Sequence, residues 1–285
     1  MIVIADAGST KIDWSVVSDA GDCRLFSSEG VNALMAGEEE LHERFAHALN
    51  SVGKAPDAIY YYGAGCVDAD VCAKVAEALR RVLRPVPDAG VEVASDLLGA
   101  ARSLCGRDPG IACILGTGSN SGFYDGIGLV DHIPSLGYLL GDEGSGAAIG
   151  RRLISAAYRR ALPPELTAAM ERYLGLDYGG ILRRVYSEPK PNAFLASLVP
   201  FVAENIRNER VRRIVAEEFR SFLDGTVKAY GPVAATLPVH FVGGVASTFA
   251  DILAQTATLV GLTDFGKIEA RPLPGLIAYH TQSDI

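Results

Sequence analysis

Two short turns, both rich in glycine and hydroxyl side chains, constrain this chain more than any other feature. The first reads Asp-Ala-Gly-Ser-Thr-Lys at 6–11, after the apolar run 2–5, and the second reads Gly-Thr-Gly-Ser-Asn at 116–120, after the apolar run 111–115. A buried strand that ends in such a turn presents backbone N–H groups and hydroxyls to an anion, because glycine allows close approach and positive φ. The pair predicts two phosphate-binding loops suited to a nucleotide. For either turn taken alone, an ordinary strand-to-strand turn stays an alternative.

The two turns also align with each other. Gly8-Ser9 matches Gly118-Ser119, with an apolar strand before each turn and a second strand-like stretch after it. This indicates an internal duplication. Asp6 in the first turn corresponds to a glycine in the second, so Asp6 is the natural anchor for a hydrated magnesium ion, which favours one or two carboxylates plus phosphate oxygens.

Composition narrows the class of protein. The chain has 285 residues, of which 49% are hydrophobic. This hydrophobic content is enough for a large core, and the length is more typical of two domains than of one. A net charge of −8 argues against a nucleic-acid partner, which needs a basic surface. The sequence has no stretch of membrane-spanning length and no leader pattern, so we expect a cytoplasmic protein with no membrane contact.

The five cysteines are odd in number and lack C-x-x-C spacing. They predict neither a disulfide framework nor a zinc site. We expect reduced and mostly buried thiols.

The order of predicted elements indicates an α/β fold. The first half predicts three strands and then alternating helices and strands, and the second half repeats this opening and then inserts a largely helical block at about 144–230. The Gly-Arg-Asp-Pro-Gly stretch at 106–110 is the strongest linker signal. We expect an N-terminal domain of 1–107, onto which a C-terminal helix at about 272–285 packs back, and a C-terminal domain of 108–271, with a cleft between two similar lobes.

Four segments in a fixed order resemble the actin-like ATPase and sugar kinase superfamily. They are the two turns, Gly-Asp-Glu-Gly-Ser-Gly at 141–146, and Val-Gly-Gly-Val-Ala at 242–246. The resemblance covers nearly the whole chain and is strongest to the N-acetylglucosamine kinase branch, often grouped with BadF/BadG/BcrA/BcrD-type ATPases. It implies two actin-like, ribonuclease H-like lobes and a requirement for ATP and Mg²⁺.

The resemblance also implies a role for individual residues. Asp6 would hold magnesium through water, and Asp96 would be the catalytic base that accepts a proton from the sugar hydroxyl. The positions implied to bind ATP are Gly8, Ser9, Thr10, Lys11, Gly116, Thr117, Gly118, Gly243 and Gly244. The positions implied to bind the sugar are Asn32, Gly65, Asn120 and Asp142.

Several of these residues also have purely structural interpretations. Asp96 stands where it could be a helix N-cap. Asp142 or Ser145 could belong to a capping box at the start of a helix. The two glycines at 243–244 could simply form the turn that starts a helix.

The resulting expectation is an ATP-dependent kinase that phosphorylates the C6 hydroxyl of N-acetylglucosamine or a related amino sugar. The sequence leaves open N-acetylglucosamine, glucosamine and N-acetylmuramic acid as substrates. Two rivals share the fold: an ATPase activator of an iron–sulfur enzyme, and a non-catalytic sugar sensor. Many members of the resembled family are homodimers, so a homodimer built on the 144–230 block is a candidate assembly.

Overall fold

The computed structural model describes residues 1–53, 55–83, 90–262 and 264–282. Within them the chain divides into two compact units. Unit 1 holds the described residues of Met1–Arg107 and Pro272–Ile285, and unit 2 is Asp108–Arg271. The described residues contain no helix that combines the length and the apolar character needed to cross a bilayer.

Unit 1 begins with a five-stranded sheet, sheet 1, in the order β3-β2-β1-β4-β5. Strands β1 to β3 are antiparallel neighbours, and β4 and β5 continue the sheet in parallel with β1. The elements in chain order are β1 (Ile2–Ala7), β2 (Lys11–Val17), β3 (Cys23–Glu29), α1 (Glu38–Leu49), a 3-10 turn (Asn50–Val52), β4 (Ala58–Gly63), α2 (Ala69–Leu83), β5 (Gly90–Ser95) and α3 (Asp96–Cys105).

Unit 2 repeats this sheet. Sheet 2 runs β10-β9-β6-β7-β8, with β6 to β8 antiparallel and β6, β9 and β10 parallel. The elements are β6 (Gly110–Leu115), β7 (Ser119–Tyr124), β8 (Leu129–His132), α4 (Gly137–Leu140), α5 (Gly146–Tyr158), α6 (Pro164–Leu174), α7 (Tyr178–Tyr186), α8 (Pro191–Ala196), α9 (Val199–Glu204), α10 (Glu209–Gly225), a 3-10 turn (Val227–Tyr230), α11 (Pro232–Thr236), β9 (Val239–Val242), α12 (Gly244–Thr248), α13 (Ala250–Leu259) and β10 (Phe265–Glu269). The shared strand order and directions confirm the predicted duplication.

The last element returns to unit 1. We expected a C-terminal helix over about 272–285, and the structure has α14 at Leu273–Thr281. Positions 283–285 of the expected range lie outside the described residues. Leu273 and Leu276 are buried against Ile4 and Tyr62 of sheet 1, and Ser103 of α3 donates a hydrogen bond to the Pro272 carbonyl at 2.7 Å.

Aromatic packing fixes the other face of sheet 1. Trp14, Phe45 and Tyr61 are almost fully buried, and the Phe45 ring lies 6.3 Å from that of Trp14 and 5.3 Å from that of Tyr61. Phe45 shares one helical face of α1 with Leu41 and Leu49, which are also buried. This packing holds α1 against the strands that carry the first glycine-rich turn.

Candidate active site

Three segments that the sequence identifies as candidate binding positions follow the carboxyl ends of parallel strands in sheet 1. Strands β1, β4 and β5 are parallel, and their last residues are in register, Ala7 opposite Gly63 and Gly63 opposite Ser95. The turn at 8–10 follows β1, Gly65 follows β4, and Asp96 follows β5. Ligands of open α/β sheets bind at this edge.

The first glycine-rich turn is closed by its own backbone and by the end of β3. Gly8 N–H donates to the Lys11 carbonyl at 2.9 Å, and Gly30 N–H donates to the Thr10 carbonyl at 3.0 Å. A Cβ at Gly30 would lie 2.2–2.4 Å from backbone atoms of residues 8, 10 and 11. Ser9 and Thr10 are exposed at the tip. Only glycine at position 30 allows the turn to sit where it does.

Asp6 lies in β1 directly opposite Asp13 of β2. Burial first, and then the negative charges of Asp13 and Asp96, raise the pKa of Asp6 to about 7, while the positive charge of Lys11 opposes the shift. Lys11 Nζ lies 2.8 Å from Asp13 Oδ2, and Ser27 donates to Asp13 Oδ1 at 2.6 Å. Asp6 therefore has an unfavourable excess of negative charge around it, which a bound cation would offset.

Asp96 is the first residue of α3 and is not its cap. Ser95 is the N-cap, and its Oγ accepts a hydrogen bond from Leu98 N–H at 3.2 Å. The capping interpretation of Asp96 is wrong, because the serine before it fills that role. The Asp96 side chain is half-buried. Its negative charge is close enough to Asp6 to raise the pKa of that residue.

Asn32 and Gly65 meet, although 32 residues separate them in sequence. Gly65 has φ +83°, and a Cβ there would lie 2.3 Å from Asn32 Oδ1. Asn32 Oδ1 accepts from Leu34 N–H at 3.1 Å, and Ala33 N–H donates to the Ala64 carbonyl at 3.1 Å. The two predicted sugar-binding positions therefore form one cluster.

In unit 2, the second glycine-rich turn is held by the first turn of α5. Gly146 N–H donates to the Gly116 carbonyl at 2.8 Å, and Ala147 N–H donates to the Thr117 carbonyl at 3.1 Å. Two of the N–H groups that a helix start leaves unpaired are thus used to shape the turn. Gly116 N–H donates to the Gly118 carbonyl at 2.9 Å, which closes the turn itself.

Asp142 lies against this second turn. It is 8% exposed, its Oδ1 accepts from Ser119 N–H at 3.2 Å, and its carboxylate oxygens lie 3.1–3.2 Å from where a Cβ on Gly118 would be. Burial raises its pKa. Ser145, not Asp142, caps α5 by accepting from Ala148 N–H, so the capping interpretation is correct for Ser145 and wrong for Asp142.

The carbonyl oxygen of the Asn120 side chain is already used within sheet 2. It accepts from Ser121 N–H at 3.0 Å and from the His132 ring at 2.9 Å. A ligand contact from Asn120 would therefore come from its NH₂ group.

The glycine pair at 243–244 follows β9, the parallel neighbour of β6, so it lies at the same sheet edge as the second turn. Gly243 has φ +125°, and a Cβ there would lie 2.3 Å from the Leu115 carbonyl oxygen. Nothing lies within 4 Å of a Cβ at Gly244. The close approach of the Leu115 carbonyl excludes a side chain at position 243, whereas there is open space beside the Cα atom of Gly244.

Comparison with solved structures decides the family. A proposed N-acetylglucosamine kinase from Porphyromonas gingivalis is 39% identical, with 98% of both chains covered and a TM-score of 0.93. The chain belongs to this N-acetylglucosamine kinase branch of the actin-like sugar kinases.

More distant structures share the fold of the family. A proposed N-acetylglucosamine kinase from Chromobacterium violaceum is 20% identical over 98% of both chains, with a TM-score of 0.74. A ROK hexokinase from Thermus thermophilus is 18% identical over 98% of this chain and 97% of its own, with a TM-score of 0.51. No family model and no curated protein matches the chain.

The residues of this family member fit a magnesium ion held through nucleotide and water. The described residues contain no group of three or more His, Cys, Asp or Glu side chains that could hold a metal by themselves. Asp6 offers one carboxylate whose neighbours already favour a cation. A hydrated Mg²⁺ needs one or two carboxylates plus phosphate oxygens, which agrees with this donor set.

Sequence reasoning missed Asp13 and the structural role of Gly30. Register could have found Asp13, because the 8–10 turn joins two antiparallel strands and places residue 13 opposite residue 6. No local signal marks Gly30, because residues 8, 10 and 11 of the first turn approach it only once β3 has paired with β2 in the folded sheet.

The burial of the cysteines agrees with the prediction that most of them are buried. Cys66, Cys105 and Cys113 are buried, Cys72 is half-buried, and Cys23 is exposed. Cys105 and Cys113 belong to the buried cores of their units, which does not favour the iron–sulfur activator, because a bridging cluster needs accessible thiolates.

Proposed function

We propose that this protein is an ATP-dependent kinase that transfers phosphate to the C6 hydroxyl of N-acetylglucosamine or a related amino sugar. The observation that carries the proposal is at the carboxyl ends of the parallel strands of sheet 1, where Asp6 is among the last residues of β1, the first glycine-rich turn follows β1, and Asp96 follows β5. A base and a phosphate-binding turn at one edge are what phosphoryl transfer to an alcohol requires.

We assign ATP recognition to the glycine-rich segments of both units. In unit 1, the backbone of Gly8, Ser9 and Thr10 and the Lys11 ammonium would contact the terminal phosphates. In unit 2, the turn at 116–118 would contact phosphate groups of ATP, and the open space at Gly244 would admit the ribose and base. Magnesium bound through Asp6 would neutralise phosphate charge.

We assign the proton transfer to Asp96. Its carboxylate would accept a hydrogen bond from the sugar hydroxyl, orient that oxygen toward the γ-phosphorus, and take the proton as the new P–O bond forms. The bond from the γ-phosphorus to the bridging oxygen breaks, and ADP leaves. Asn32, Gly65, Asn120 and Asp142 would bind the sugar, with the buried Asp142 carboxylate accepting from its hydroxyls.

The test is ADP release from Mg-ATP against N-acetylglucosamine, glucosamine, N-acetylmuramic acid and glucose. We expect turnover with an amino sugar and a loss of kcat of about 10²–10⁴-fold in Asp96→Asn, with the sugar KM nearly unchanged. Asp70→Asn is the matched control, because Asp70 also lies in the first turn of a unit 1 helix but is exposed.

The other outcomes separate the rivals. Sugar binding without ADP release would identify a sensor, and ADP release that does not depend on sugar would identify an ATPase. A homodimer built on the helical block and the relation to BadF-type ATPases stay predictions.

A further inference from the structure

Two arginine-bearing stretches, at 151–152 and 207–213, come together in unit 2. Arg152 lies on α5, and Arg210 and Arg213 lie on α10, 58 or more positions later in the sequence. The structure brings all three to the wall of one cavity of about 350 Å³, which is also lined by Ala156, Ala161, Leu162, Ile214 and Glu217. The volume lies in the range of small-molecule sites.

The charge of this cavity is opposite to that of the whole protein. Three arginines line it together with one carboxylate, Glu217, and the buried Glu218 also pairs with Arg152, so positive charge is in excess by one although the chain carries a net charge of −8. The Arg213 side chain has no hydrogen-bond or ion-pair partner among the described residues, and the Arg210 side chain uses one N–H to donate to the Ala161 carbonyl at 2.5 Å. Both side chains therefore keep N–H donors for a ligand.

A buried carboxylate holds Arg152 at the cavity wall. The Glu218 side chain is 4% exposed and accepts from Arg152 Nε at 2.5 Å, while Glu217 accepts from Arg152 at 3.0 Å. The other oxygen of Glu218 accepts from Gly144 N–H at 3.4 Å. Gly144 belongs to the 141–146 segment that also carries Asp142, so an unbroken set of contacts joins the cavity to that segment.

We propose that this cavity is a second anion site that binds a small phosphate-bearing ligand through Arg152, Arg210 and Arg213. Guanidinium groups match the geometry of phosphate oxygens and bind them with charge-assisted hydrogen bonds. The phosphate could come from inorganic phosphate or from a sugar phosphomonoester, and 350 Å³ admits either. A ligand bound to Arg152 would alter the ion pair between Arg152 and Glu218. Because Glu218 also accepts from Gly144 N–H, this change would reach the 141–146 segment.

The test is isothermal titration of the full chain with inorganic phosphate and, separately, with N-acetylglucosamine 6-phosphate. The Arg210→Ala/Arg213→Ala double variant should lose at least tenfold in affinity for one binding event, while any binding at the catalytic residues is retained. Arg220→Ala is the matched control, because Arg220 is exposed on the same helix but pairs with Asp224 away from the cavity.

A second readout separates this proposal from the proposed function. Hydrogen exchange of the 141–146 segment, measured without ATP or substrate sugar, should slow when phosphate binds the wild type and stay unchanged in the double variant. The proposal is overturned if both ligands bind the double variant as tightly as the wild type, or if neither ligand binds the wild type outside the catalytic residues. Kinase activity is not part of either measurement.

Discussion

At the scale of single residues, the site depends on how carboxylates are placed next to one another. Asp6 and Asp13 stand opposite each other on adjacent strands, and burial with these neighbours raises the pKa of Asp6 to about 7. A protonated Asp6 cannot hold a cation. We therefore expect the affinity of the free protein for Mg-ATP to rise with pH and to level off above about pH 7.

Asp13→Asn should move this pH dependence toward lower pH. The substitution removes the like charge opposite Asp6 and releases Lys11 from its ion pair with Asp13, and both changes favour the ionised form of Asp6. Calorimetric titration with Mg-ATP between pH 5.5 and 8.5 measures the midpoint. The control is Asp22→Asn, at an exposed position between β2 and β3, which should leave the pH midpoint unchanged. An unchanged midpoint in Asp13→Asn would contradict the account of Asp6.

The residues that sequence alone could identify are those with a local pattern. The 6–11 turn, the start of a helix at Asp96, and the 141–146 segment are readable because strand, turn and helix signals are local. Asp13 and Gly30 depend on which strands pair, and the contact of Gly65 with Asn32 depends on two loops at one sheet edge. Those relations are tertiary, so propensity carries no signal for them.

At the scale of elements, the first glycine-rich turn is shaped by the end of β3. Gly30 N–H donates to the Thr10 carbonyl, and there is no room for a side chain at position 30. The bounds of most strands were predictable within one or two residues, because most are apolar or alternating runs between turn residues, but the strand-like stretch at 122–130 belongs partly to β7 and partly to β8. The contact of β3 with the turn was not predictable, since it arises from the hairpin register.

Gly30→Ala should weaken ATP binding at least tenfold and destabilise unit 1 by about 1–3 kcal/mol, as overpacking against backbone does. The added methyl would have to displace residues 8, 10 and 11. Gly37→Ala is the control, because nothing lies within 4 Å of a Cβ there and its backbone is extended. Nucleotide titration and urea unfolding measure the two effects. Wild-type ATP affinity in Gly30→Ala would contradict the packing argument.

At the scale of the whole molecule, the chain returns to unit 1 through α14. His280 stacks on Tyr60 at 3.7 Å between ring centres, and its Nε2 is hydrogen-bonded to the Tyr62 hydroxyl at 2.8 Å. Arg102 donates to the same hydroxyl at 2.7 Å, so the Tyr62 proton is directed to a neutral imidazole. Burial lowers the pKa of His280 to about 4.

This histidine should make stability depend on pH. Its pKa is about 4 in the folded chain and about 6.5 when unfolded, so the unfolded chain binds more protons between these values. Its contribution is complete above about pH 6.5 and is lost as the pH falls toward 4. His280→Phe keeps the stacked ring without the charge and should flatten this part of the thermal unfolding profile. His47→Gln, exposed on α1, should not. Parallel profiles for wild type and His280→Phe would refute this role.

The measurement that tests the central claim most directly is the position of the transferred phosphate. Phosphorus–proton correlation NMR on the product of Mg-ATP and N-acetylglucosamine should show coupling from the new phosphate to the two C6 protons, with ADP formed in equal amount. Asp96→Asn should show neither signal above about one hundredth of the wild-type rate. Coupling to another sugar proton, or inorganic phosphate as the only new phosphorus signal, would contradict the assignment of this protein as a C6 amino-sugar kinase.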